Sequence, residues 1–143
     1  MTMRWMKGAL GACVASLALA ACGDGGTGGA GFRPYGSNLP AYTETAPGVD
    51  WDTRAAAFRG RNGLRLLYTC PAGGGPGALW GTDLYTDDSS VCVAGVHAGR
   101  ITLQGGGAVV IEIRPGATAY AGSTRNGVDS AGYGEWGGSF VVL

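Results

Sequence analysis

The apolar positions fall into one long early run, a gap, and then a series of short blocks. Residues 8–21 carry no charge and are mostly apolar, behind a start that holds Arg4 and Lys7. Fourteen such residues are too few to cross a hydrocarbon core as a helix, which takes about 20. The pattern predicts an export signal over residues 1–21 that is cleaved away. Residues 22–52 lose the pattern. They are rich in Gly, Pro and Thr, and residues 23–31 are nearly all small. Such a stretch buries too little apolar surface to order itself, so a flexible tether is expected there. Tyr35, Tyr42 and Trp51 are scattered along it, and loose packing against the following domain is the simplest account of them.

Residues 53–143 form the predicted domain. Ala55-Ala56-Ala57 suit one helical turn, and Asn62-Gly63 is a turn signal. Residues 64–70 alternate as a strand with Leu64, Leu66 and Tyr68 on one face. Residues 71–77 must be a loop, and residues 80–85, opening on Trp80, read as a second strand. Asp87-Asp88-Ser89-Ser90 then offer acceptors for the orphan N–H groups of a helix start. Residues 91–98 are apolar on every side and stop at Gly99. A helix of that kind is buried, which places Val91, Val96 and His97 in the core together with Trp80. Further strands are expected at residues 101–103, 108–114, 118–121 and 139–143. Within 108–114, Val109, Ile111 and Ile113 face inward while Glu112 and Arg114 face out. Pro115-Gly116 reads as a turn, and residues 122–130 as a polar loop around Asn126-Gly127. The expectation is an α+β domain, a short buried central helix wrapped by irregular antiparallel β-strands. The 29 glycines among 143 residues fit that picture and set long helices aside.

The four cysteines sharpen it. Cys13 leaves with the leader. Leu19-Ala20-Ala21-Cys22 has the form of a lipobox, in which the Cys22 thiol takes a diacylglyceryl group and becomes the new N-terminus. A competing cut after Ala18-Leu19-Ala20 would leave an odd thiol on an exported chain, whereas lipidation leaves Cys70 and Cys92 free to pair. Two or more acyl chains anchor stably where one does not. Gly23 follows in place of the aspartate that retains many lipoproteins at the inner membrane, which favours the outer membrane in a cell that has two. A Cys70–Cys92 bridge would tie the first strand to the helix and contribute about 3 kcal/mol, a large share for a domain this small.

Net charge excludes some partners and names none. The chain is neutral overall, and removing Arg4 and Lys7 from its ten cations leaves eight arginines against ten carboxylates. No basic face points to nucleic acid. His97 is the only histidine, and the acidic and hydroxyl groups sit at the other helix end, so no catalytic triad is expected. Residues 86–90 are too short for a calcium loop and lack its distal glutamate. One histidine beside two bridged cysteines cannot make a zinc site. The glycines of residues 73–77 lack the Gly-Lys-Ser/Thr ending of a phosphate loop. Neither metal nor cofactor is expected. The best surface candidate is Arg125 and Asn126 on the 122–130 loop, with Tyr120, Tyr133 and Trp136 near in sequence. Arginine, amide and ring together suit a sugar or an anionic glycan. The other reading is that Asn126-Gly127 only supplies a turn and Trp136 is core.

Residues 80–99, with Ser89-Ser90-x-Cys92 and Val96-His97-Ala98-Gly99 in register, resemble the signature of the LCCL domain. Gly105-Gly106, Ile113-Arg114-Pro115-Gly116, residues 122–128 and residues 136–140 fit its second half, so the resemblance covers residues 64–143. It implies an extracellular module with a central helix in irregular β-structure, and recognition in place of catalysis. Members of the family are linked to lipopolysaccharide and other microbial-surface ligands, and the family offers no catalytic residue to carry over. Animal members usually hold four cysteines in two bridges and this domain has two. Cys92 matches the family's helix cysteine.

Overall fold

The computed structural model describes residues 39–143. The export signal, Cys22 and the first part of the tether lie outside the described residues. One six-stranded sheet carries the domain, in the order β1-β2-β5-β8-β4-β3. Its strands are β1 (Glu44–Thr45), β2 (Arg65–Cys70), β3 (Gly81–Thr82), β4 (Leu84–Thr86), β5 (Gly107–Ala117) and β8 (Trp136–Val142). A separate hairpin joins β6 (Ser123–Arg125) to β7 (Val128–Ser130). Among the named strands of the described residues, every pairing is antiparallel except β1 with β2. The α+β class and the central helix are as the pattern predicts.

That helix, α1 (Val91–His97), is buried along its whole length. Ser90 caps its start, accepting from the Val93 N–H at 3.1 Å and donating to the Trp51 carbonyl at 2.6 Å. Its end closes as a Schellman motif, in which Gly99 N–H bonds the Val96 carbonyl and Arg100 N–H the Gly95 carbonyl. Val91, Val93 and Val96 pack against Leu66, Tyr68, Val109, Ile111 and Ile113 from β2 and β5, the inward set read from alternation. The Tyr68 hydroxyl is buried with no hydrogen-bond partner, and burial pushes its pKa up to about 12. Cys70 and Cys92 are bridged.

The structure moves the tether boundary. Leu39 and Tyr42 lie against Leu67 and Val110 on the sheet face opposite the helix, and β1 pairs with Leu66 and Leu67. Leu39 and Tyr42 therefore cover the second face of the sheet while Ala46, Val49 and Trp51 pack with the helix-side core, in a stretch too short and irregular to announce itself. Other segments also differ from expectation. Residues 80–85 are a tight hairpin, because Asp83 takes φ 65° and reverses the chain between Thr82 and Leu84. Residues 101–103 form only an isolated bridge, Thr102 with Gly106, and residues 118–121 another, Tyr120 with Tyr133. Pro115-Gly116 is no turn. β5 runs through it, paired with β8, because Gly116 lies where a side chain would stand 2.0 Å from the Trp136 carbonyl oxygen. The polar loop of residues 122–130 is the β6–β7 hairpin, with Asn126 (φ 52°) and Gly127 (φ 74°) as the two-residue turn.

Candidate functional site

A buried carboxylate organises one end of the sheet. Asp87, just after β4, is held by its backbone to Gly138 of β8 and to Ala55. Its side chain has no solvent exposure, while that of Arg59 is 44% exposed. Arg59 donates from Nε to Oδ2 and from Nη2 to Oδ1, both at 2.7 Å, and the Trp136 indole donates to Oδ1 at 2.8 Å. The guanidinium also lies 5.2 Å from the centre of the Trp136 ring, in cation–π contact. Burial alone would raise the Asp87 pKa. The hydrogen bonds from Arg59 and Trp136, with the charge of Arg59, outweigh it and hold the carboxyl below its ordinary value. The same bond raises the Arg59 pKa.

Trp136 opens onto the surface beside Tyr133, the exposed large apolar side chain of the described residues at 44%. Tyr133 makes T-shaped contacts with two indoles, its ring centre 5.7 Å from that of Trp136 and 6.2 Å from that of Trp80. Trp80, expected in the core, is half-buried in this cluster. Tyr120 lies beneath, 5% exposed. Its backbone bonds both ways with Tyr133, and its hydroxyl accepts from Ala117 N–H at 3.0 Å and donates to the Trp136 carbonyl at 3.5 Å. A shallow cleft of about 530 Å³ adjoins, lined by residues 116–118 and 135–137.

Arg125 and Asn126 are elsewhere, at the tip of the β6–β7 hairpin. Arg125 is paired with Asp83, 2.6 Å from Nη1 to Oδ1, and that bond raises its pKa. Asn126 donates to the His97 carbonyl at 3.0 Å. The five nominated residues thus divide. Tyr120, Tyr133 and Trp136 come together, whereas Arg125 and Asn126 brace the hairpin against the β3–β4 turn and the helix end. Asn126 also borders a second cleft of about 440 Å³.

His97 is sealed in the core. With the proton on Nε2, the ring donates to the Ser123 carbonyl at 3.2 Å and accepts the Tyr85 hydroxyl at Nδ1, 2.9 Å away. Burial raises the Tyr85 pKa. Ser123 Oγ is 3.3 Å from Nε2 but also lies 2.7 Å from the Thr82 hydroxyl. The network ties helix to hairpin, as expected of a core histidine, though through side chains as well as backbone. Of the four residues Asp87–Ser90 that offer capping acceptors, Ser90 caps the helix and Asp87 accepts from Arg59 instead. The Arg59–Asp87–Trp136 contact had no local signal, because its members stand 28 and 49 positions apart. Among the described residues no group of three or more His, Cys, Asp or Glu is placed to hold a metal ion, and no helix is long and apolar enough to cross a membrane.

Comparison with known proteins places this geometry. The LCCL domain model matches residues 49–140, a stretch that contains both bridged cysteines, Asp87 and the aromatic cluster. Human vitrin is 36% identical over 101 residues, 69% of this chain and 14% of vitrin. Clotting factor C of Tachypleus tridentatus is 38% identical over 84 residues, 57% of this chain and 8% of that protein. Cochlin of Cavia porcellus is 36% identical over 65 residues, 46% and 12% respectively. The chain therefore corresponds to a small part of each of these relatives, and over that part it belongs to the LCCL domain family.

Proposed function

We propose that the chain is an exported lipoprotein, anchored through Cys22, whose domain recognises a carbohydrate of the cell envelope at the Tyr133 surface. The observation that carries this reading is an exposed tyrosine in T-shaped contact with both Trp80 and Trp136. Exposed rings normally lose order to water. This one is held by two indoles while 44% exposed, so its exposed part can pack on a sugar ring at little cost in side-chain entropy. The Glu135 and Thr118 side chains border the adjoining cleft and make no hydrogen bond among the described residues, leaving them for sugar hydroxyls. Recognition without turnover is what the family resemblance implies. A bridged cysteine pair fits an oxidising exterior, and the lipobox fits anchoring, with the outer membrane favoured.

The test is a glycan array that includes lipopolysaccharide fragments, probed with the mature chain and followed by titration of each hit. Tyr133→Ala should weaken binding about tenfold, the loss of one aromatic contact worth roughly 0.5–1.5 kcal/mol beyond its area. Arg125→Ala should change little, since its guanidinium is engaged by Asp83. Equal affinity of Tyr133→Ala and the unsubstituted chain would remove this surface from consideration.

A further inference from the structure

We propose that the groove beside the Asn126-Gly127 turn binds an extended peptide carrying one apolar residue and, two positions along, a basic one. This does not rest on the carbohydrate reading. Two clefts, of about 440 and 320 Å³, adjoin at Leu103 and Gly127, which line both, and the two together are the proposed trough. Each lies in the usual volume range of ligand sites, about 300–1,000 Å³. At one end Pro76, Leu103 and Val128 present apolar surface, with Asp129 beside them. At the other stand Gln104 and Asn126.

Three observations select the occupant. The Gln104 side-chain amide makes no hydrogen bond among the described residues, and Asn126 gives one N–H to the His97 carbonyl, leaving its oxygen open. An amide offers both a donor and an acceptor, the complement of a peptide's own C=O and N–H. The walls carry no aromatic ring on which a sugar could stack. Asp129 forms no ion pair, its carboxylate accepting only from Thr124, and no cation lines the trough. A basic side chain completes it, and in an extended strand residues two apart point to one side. The trough is also built before any ligand arrives. Gly73 and Gly74 N–H groups hold the Gln104 and Leu103 carbonyls at 3.1 and 2.7 Å, fixing one wall, and Asn126 pins the other to the helix end. Preorganised walls reduce the ordering cost of binding.

The experiment uses the mature chain, isotope-labelled, and heptapeptides in a glycine–serine background. One peptide carries leucine and lysine two positions apart. Two controls replace leucine by serine or lysine by glutamate. The first peptide should shift the amide signals of Leu103, Gly127 and Asp129, with at least about fivefold weaker binding for each control. Gln104→Ala should weaken it several-fold, and Asp129→Lys should transfer the preference to the glutamate peptide. Both positions are exposed, and near-ultraviolet circular dichroism verifies that the variants fold. Absence of shifts at millimolar peptide, shifts indifferent to the lysine–glutamate exchange, or shifts produced at these amides by neutral oligosaccharides and not by peptides would each overturn the proposal.

Discussion

Asp87→Asn should lower stability by about 2–4 kcal/mol, because the amide keeps one acceptor oxygen but loses the negative charge and turns N–H donors toward the Arg59 or Trp136 donors. Arg59→Ala should cost at least as much. The asymmetry follows from exposure. Removing Asp87 leaves a cation that solvent can reach, whereas removing Arg59 leaves a carboxylate with no exposure and only the Trp136 indole for a partner. The pH dependence has a definite sign. The folded Asp87 carboxyl is held below its ordinary value, so its contribution is complete above the unfolded carboxylate pKa of about 3.9 and disappears as pH falls through the lower folded value. Urea titrations from neutral pH downward should therefore show the unsubstituted chain losing ground to Asp87→Asn in acid. A gap between the two that stays constant across that range would contradict the clamp.

Removing the Cys70–Cys92 bridge should have an effect of similar size. The bridge spans a sequence separation of 22 and constrains the unfolded chain by about 3 kcal/mol in the loop-entropy account. Both cysteines are buried, at 3% and 0% exposure, so replacing the pair by alanine also removes core contacts. Total stabilities run to about 5–15 kcal/mol, and a loss of this order should lower the urea midpoint by at least about 1 M. The same helix packs at one end through Cys92 and at the other through His97, so the reduced domain should also exchange the α1 amides faster. A midpoint unmoved by reductant would mean that packing alone fixes the helix.

What could be read from sequence followed the range of the physics involved. The α1 helix was legible because capping acceptors, an all-apolar run and a terminal glycine sit together within residues 87–99. The Val109, Ile111 and Ile113 face was legible because alternation is local. Burial of Val110 was not, since its cover comes from Leu39 and Tyr42, in a segment whose composition reads as tether. Pro115-Gly116 misled because the pair that usually ends a strand here allows one to lie close against β8. At the candidate site, Tyr133 and Trp136 were nominated by proximity in sequence and do meet. Arg125 was nominated by the same reasoning, but its charge is satisfied by Asp83, 42 positions away. Arg59 joins the cluster through side-chain bonds to Asp87, and Asp87 and Trp80 through backbone pairings with Gly138 and Ala131, none of which a short-range pattern encodes.

Export is the claim on which both the bridge and the recognition role depend, and the intact mass of the chain, recovered from the membranes of cells that make it, tests it in one step. The expected species begins at Cys22, carries the added mass of a diacylglyceryl group, and is two hydrogens lighter than its reduced form because Cys70 and Cys92 are joined. A chain that retains Met1, or one cut before an unmodified Ala21 or Cys22 with both remaining thiols free to alkylate, would contradict it.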